Sequence, residues 1–193
     1  MSVEQTHLTN EADVPSPSLL IYPDRVEENL RRMIALVGEP GRLRPHIKTH
    51  KLPQIVARQV ALGVTQCKCA TIAEAEMAAR AGATDVLIAA QLVGPNVARL
   101  VALIREFPRV AFSTIADDAG ALASLGAAAT GGRVIVEVLL DLDVGQHRTG
   151  VAPGPQAVAL YQKIRSRPGL RAGGLHLSLI HISEPTRLRR ISY

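Results

Sequence analysis

The feature that most constrains this 193-residue chain is an alternation. Short apolar, β-branched runs at 18–22, 44–48, 66–70, 85–90, 110–115, 133–140 and 173–177 are separated by segments of helical period. Those segments span 25–37, 52–62, 72–81, 96–106, 117–129 and 156–165. One run recurs roughly every 20–25 residues, the spacing of successive βαβ units and hence of a parallel sheet. The helix signals have mechanisms behind them. Thr71 with Glu74 makes a capping box, and Gly82 closes the same helix. Val26, Leu30, Met33 and Val37 trace one face at helical spacing. Pro53 and Pro95 stand near helix starts, where a backbone N–H has no helical partner to lose.

A parallel sheet can be open or closed. The dinucleotide fingerprint G-x-G-x-x-G and the Walker A loop are both absent. Polar residues instead gather just after several different runs: Lys48 and His50, Gln91, Asp143 and Arg148, and His176. Convergence at many strand ends is what the C-terminal face of a barrel requires. The chain is short of the roughly 250 residues of a complete barrel. The expectation is an α/β fold, a partial (β/α)8 TIM-type barrel over residues 15–177, behind a flexible arm at 1–14. Its open sheet edges invite aggregation, and the 193-residue chain by itself is expected to be poorly soluble and inactive.

Residues 178–193 read differently. The run Leu177-Ser178-Leu179-Ile180-His181-Ile182-Ser183-Glu184-Pro185-Thr186-Arg187 resembles translated sequencing-library adaptor, and Leu188-Arg189-Arg190 a barcode. This tail is expected to be read-through, with the natural protein continuing beyond His176, and it is left out of fold reasoning. Without it the net charge falls from +5 to +3.

Composition narrows the function classes. Only 3% of residues are aromatic and Trp is absent, so the core is built from Ala, Val, Leu and Ile. The sequence pI of about 9.7 raises the question of nucleic acid. The cations are interspersed with acids and few aromatics exist for stacking, so no nucleic-acid partner is expected. Cys67 and Cys69 lack a second pair for a zinc site and read as small buried strand residues. No apolar run reaches membrane-spanning length and the polar N-terminus is no signal peptide, so a cytoplasmic protein without a membrane partner is expected.

The chemistry concentrates in Arg44-Pro45-His46-Ile47-Lys48-Thr49-His50-Lys51. A lysine at the mouth of a parallel strand can condense with an aldehyde once its amine is neutral, and neighbouring cations and burial both favour that form. Strand alternation puts Arg44, His46 and Lys48 on one face. Lys51 is the nearest competitor for the reactive amine. His46 and His50 read as orienting residues rather than as the base. Arg148 either serves a ligand or pairs with Asp141 or Asp143. Glu74 reads as a helix cap, and Gln91 and Asn96 lie near the same strand ends.

RPHIKTHK, KCATIAEAE at 68–76, LVGPN at 92–96 and LLDLDVGQHRTGV at 139–151 together resemble fold-type III pyridoxal-phosphate enzymes. Within that group they are similar to the D-threonine aldolase / D-serine dehydratase branch of the alanine racemase N-terminal domain family, over residues 15–176. The resemblance implies pyridoxal 5'-phosphate as cofactor, with Lys48 as the catalytic lysine that condenses with it. Arg148 would then bond the cofactor's phenolic oxygen and His176 would lie beside its ring, with His46 among the cofactor-binding residues. It implies a lyase acting on a small β-hydroxy D-amino acid, D-threonine aldolase-like first, which cleaves it to glycine and an aldehyde. D-serine dehydratase, amino-acid racemase and a non-catalytic cofactor-carrying protein stay open. It also implies a homodimeric parent, phosphate held by loops after later strands, and a divalent metal (Mn or Zn) in the full-length parent only. No metal ligand is assigned in this chain.

Overall fold

A computed structural model describes residues 8–178. The strand–helix alternation is realised from residue 66 onward. Strand β1 (Gln66–Cys69) is followed by α3 (Ile72–Arg80), β2 (Asp85–Gln91), α4 (Pro95–Glu106) and β3 (Ala111–Ala116). Then come α5 (Ala119–Gly132), β4 (Val136–Leu142), α6 (Pro155–Ser166) and β5 (Leu170–Leu177). Helices α1 (Pro23–Val37) and α2 (Pro53–Ala61) precede them.

All neighbouring strands are parallel, and the sheet order is β1-β2-β3-β4-β5. A doubly wound sheet reverses its order at a switch point. This one never does. Sequential right-handed crossovers place every helix on the same face, and consecutive helices from α2 to α6 touch in chain order. The architecture is an arc of a (β/α)8 barrel.

Alternation along the strands divides their side chains between two faces. Cys67, Cys69, Val86, Ile88, Val136, Val138 and Leu140 are buried in one cluster with Leu100, Leu122 and Ile164 of the helices. Deleting a side chain as enclosed as Leu100 or Leu122 costs about 2–5 kcal/mol. Lys68, Glu137 and Asp141 alternate with those residues and stand on the other face.

Helix boundaries follow local chemistry. Thr71 Oγ1 accepts from the Glu74 amide and Glu74 Oε2 accepts from the Ala70 amide, the expected capping box. Gly82 follows α3 at φ 98°, a backbone that suits glycine. Prolines open α1, α2, α4 and α6. Leu30 is the buried residue of α1, with Val26, Met33 and Val37 half-buried beside it.

Three expectations are corrected. Residues 18–22 are extended but have no ladder partner among the described residues, and Leu19, Leu20 and Ile21 are exposed. β-branched composition alone does not make a strand; a strand exists only through its neighbour. At 44–48 a ladder is reduced to one bridge, His46 to Lys68, before Ile47–Thr49 turns into a 3-10 helix. The strand expected at 133–140 runs Val136–Leu142 instead, because Arg133 caps α5 in the left-handed region at φ 55°. That shift brings Asp141 into the strand. The N-terminal arm includes a short 3-10 helix at Glu11–Asp13. The adaptor-like tail lies outside the described residues beyond Ser178, as do residues 1–7.

Candidate active site

At the C-terminal ends of the strands lies a cavity of about 430 Å³. The 3-10 turn at Ile47–Thr49 brings Lys48 to it, and the preceding bridge brings His46. The loop after β4 contributes Arg148, β5 contributes His176, and β1 contributes Lys68. The four residues singled out from sequence therefore line one cavity with a fifth that sequence reasoning missed. A larger hollow of about 680 Å³ lies between α2 and α3, but its charged lining residues, Glu76 and Arg80, are paired with each other.

Each position has a local cause. Nδ1 of His46 accepts from the Lys48 amide at 3.3 Å and so caps the turn that carries the lysine. The His46 ring is shifted towards its neutral form, first by burial and then by the charges of Lys48 and Lys68. His50 Nδ1 accepts from the Leu52 amide at 3.0 Å and orients the start of α2. It does not line the cavity. Lys51 turns away at φ 53°, with its amine 3.5 Å from Glu74. The nearest competitor for the reactive amine is thus outside the cavity.

Arg148 sits on a loop tied at both ends. Asp143 Oδ1 accepts from the amides of Gly145 at 3.0 Å and His147 at 2.9 Å, and its other oxygen lies 2.8 Å from His147 Nδ1. These bonds, the His147 amide first, hold the Asp143 carboxyl down at about 2. Gly150 closes the loop at φ 99°, where an added Cβ would lie 2.5 Å from the Asp143 nitrogen. Its amide donates to Asp117 Oδ2 at 2.8 Å. Gln91 Oε1 in turn accepts from the amides of Asp117 and Asp118. Gln91 thus meets the cavity as a brace as well as a wall, whereas Asn96 stays on the surface as an acceptor for Arg99.

The alternative reading of Arg148, a plain ion pair with Asp141 or Asp143, is not realised among the described residues. Asp141 and Asp143 were both candidates to neutralise it. Asp143 is committed to its own loop, and Asp141 Oδ1 lies 2.5 Å from Nδ1 of His176. The cause is a register shift. Val138 pairs with Ala172 but Leu139 pairs with Gly174, so Gly173 is an extra residue in β5. A Cβ at Gly173 would lie 2.6 Å from Glu137 Cγ, so a larger residue there would have to displace that side chain. Without that bulge Asp141 would face Leu175; with it, Asp141 faces His176. The Gly173-Gly174 pair is the signal that made this contact readable in principle.

His176 also reaches across the arc. Its Nε2 is 2.7 Å from Nζ of Lys68 on the opposite edge strand. Only a strongly curled sheet lets side chains of its first and last strands touch. Burial lowers the affinity of Lys68 for its proton, the Asp141 carboxylate opposes that, and the charges of Lys48 and Arg148 reinforce it. Asp141 is 2% exposed, and its Oδ2 has no partner among the described residues. No cluster of three or more His, Cys, Asp or Glu side chains suited to a metal ion occurs among the described residues, and no described helix is long and apolar enough to cross a membrane.

Comparison with known proteins adds a family and relatives. Residues 21–189 match the family described as alanine racemase, N-terminal domain. The chain is 39% identical to a D-threonine aldolase of Arthrobacter sp over 166 residues, which are 85% of this chain and 43% of that protein. It is 30% identical to a D-threo-3-hydroxyaspartate dehydratase of Delftia sp. (strain HT23), over 83% of this chain and 42% of the relative. The crystal structure of a D-threonine aldolase from Filomicrobium marinum superposes with a TM-score of 0.77 at 36% identity, covering 86% of this chain and 44% of the other. The chain spans less than half the length of the curated relatives it matches.

Proposed function

Because the chain belongs to the alanine racemase N-terminal domain family, we propose that its cavity holds pyridoxal phosphate and that the protein cleaves a β-hydroxy D-amino acid to glycine and an aldehyde, as a D-threonine aldolase does. The observation that carries this reading is the convergence of Lys48, Arg148 and His176, from three separate segments, on one cavity at the strand ends. The donor set fits the cofactor: a primary amine for its aldehyde, a guanidinium fork for an oxyanion, and an imidazole with small alanine walls for a flat ring. When bound, pyridoxal phosphate supplies an electron sink for the bond broken at the substrate's α-carbon.

The chain's own residues do the rest. Lys48 presents its amine from a turn whose backbone His46 holds. Arg148 presents its charge from a loop pinned by Asp143, Asp117 and the close fit of Gly150. Asp141 fixes the His176 ring with Nδ1 turned to the carboxylate and Nε2 turned to the interior. Ala89, Ala90 and Ile115 line the wall between them, small side chains that leave room for a flat ring.

The aldolase reading is supported by the higher identity to D-threonine aldolase than to the hydroxyaspartate dehydratase. We place the protein in the cytoplasm, where the unpaired Cys67 and Cys69 suit a reducing compartment. It works as a homodimer on a small-molecule substrate, without nucleic acid or membrane as partner. A divalent metal (Mn or Zn) belongs to the reading of the full-length protein, and no described residue is assigned to it.

The test is borohydride reduction of the protein with pyridoxal phosphate, peptide mapping, and product analysis with D-threonine. The expected result is a label on Lys48 with glycine and acetaldehyde as products. An oxo acid with ammonia would make it a dehydratase, and an inverted amino acid a racemase. A label without turnover would make it a cofactor carrier, and a label on another residue would overturn the site.

A further inference from the structure

Lys68 is a second amine in the cavity, and the reading above gives it no task. Its Nζ lies 2.7 Å from His176 Nε2, and His176 Nδ1 lies 2.5 Å from Asp141 Oδ1. A carboxylate accepts, so Nδ1 of His176 donates to Asp141 and Nε2 is left facing Lys68. Two basic nitrogens at that distance hold one proton between them. The proton rests on the lysine with a neutral ring, or on the ring with a neutral amine. Asp141 stabilises both arrangements.

We propose that Lys68 and His176 share a single mobile proton, backed by Asp141, and that Lys68 is thereby an acid–base residue of the cavity rather than a fixed cation. This rests on the lyase reading for its substrate and on geometry alone for the shared proton. In the cleavage of a β-hydroxy amino acid the hydroxyl proton passes to the neutral amine of Lys68. The Cα–Cβ bond breaks, the oxygen's electrons form the new C=O bond, and the electron pair of the broken bond stays on the α-carbon side. The proton then returns from Lys68 to the α-carbon. One proton leaves oxygen and one reaches carbon, so no outside acid or oxidant is needed.

The surroundings of Lys68 favour ready exchange. Lys48 from the 3-10 turn and Arg148 from the loop after β4 line the same cavity, and a charge on either works against a permanent charge on Lys68. His46 is bridged to it through the backbone. Asp141 from β4 attracts the proton and His176 from β5 shares it. Asp117, at the end of β3, is occupied by the Gly150 amide, and β2 contributes only Ala89, Ala90 and Gln91 to the lining.

Two measurements decide it. In the cofactor-free protein, competitive acylation over a pH series compares Lys68 with the exposed Lys163 of α6. Lys68 is expected to gain reactivity at lower pH than Lys163, and at lower pH still in Asp141→Asn. Reactivity that follows Lys163, or none at any pH, would overturn the shared proton. In protein loaded with pyridoxal phosphate and left unreduced, Lys68→Met and Lys68→Arg are both expected to lower kcat by about 10²–10⁴-fold, because arginine keeps a charge but does not release a proton. Near-normal turnover in Lys68→Arg would show a fixed cation and overturn the proposal. Should Lys68→Met fail to fold, Lys68→Arg and the acylation series carry the decision. Failure of trapping in the unaltered protein would overturn the cofactor reading, while the acylation result would still judge the proton sharing on its own.

Discussion

The two ends of the same curled sheet carry charged side chains for opposite purposes. At the N-terminal end Arg44 makes two bonds of 2.6 Å to Asp85, and Arg171 bonds Glu137 at 3.0 Å. Each of these two pairs ties one chain segment to another. At the C-terminal end Lys48 and Arg148 form no ion pair among the described residues, Lys68 meets another base, and Asp141 keeps one oxygen unpartnered. Paired charges hold the barrel's foot together. Unpaired ones at its mouth leave interactions for a ligand to complete, which is why perturbed groups mark functional sites.

The sharpest way to break this contrast is at Lys48. Lys48→Ala should abolish the borohydride-trapped cofactor altogether, whereas Lys51→Ala, whose amine points to Glu74, should leave it intact. Peptide mapping of the two variants reads the difference. Next comes the loop that bears Arg148. Gly150→Ala forces a side chain into a left-handed backbone against the Asp143 and Leu142 main chain, and should cost about 1–3 kcal/mol in a urea titration. It should also weaken cofactor retention. At the foot, Asp85→Asn removes a half-exposed bidentate pair and should cost about 1 kcal/mol, with trapping on Lys48 unchanged. A loss of trapping there would erase the distinction between the two ends.

The smallest effect is a pH dependence. Asp143 titrates below its unfolded value, so its contribution to the loop is complete above the ordinary carboxylate range. It is lost as pH falls through about 2. Hydrogen exchange at the Gly145 and His147 amides should accelerate across that window and be flat above it. Protection unchanged down to the acid limit would show that the clamp is not electrostatic.

Much of the fold was legible because its signals are local. The capping box of Thr71 and Glu74, the prolines at helix starts and Gly82 act through bonds within a few residues. The grouping of Lys48, Arg148, His176 and His46 was legible too, through motif resemblance and through the rule that polar strand ends converge. What escaped was Lys68. Its partner is 108 residues away, and nothing along the chain says that β1 and β5 will curl until their side chains meet. Residues 18–22 were misread for a related reason: their composition suits a strand, but pairing is decided by a neighbour.

The sequence by itself determined the helix ends, the parallel βα repeat and the kinds of side chain that reach the strand mouths, since these depend on short-range bonding and periodicity. Tertiary structure alone decided which of those side chains touch. A one-residue bulge at Gly173 sets His176, and not Leu175, beside Asp141, and the curl of the sheet sets Lys68 against the same ring. Both depend on distances closed across many strands, where a single step in register moves a side chain to the opposite face.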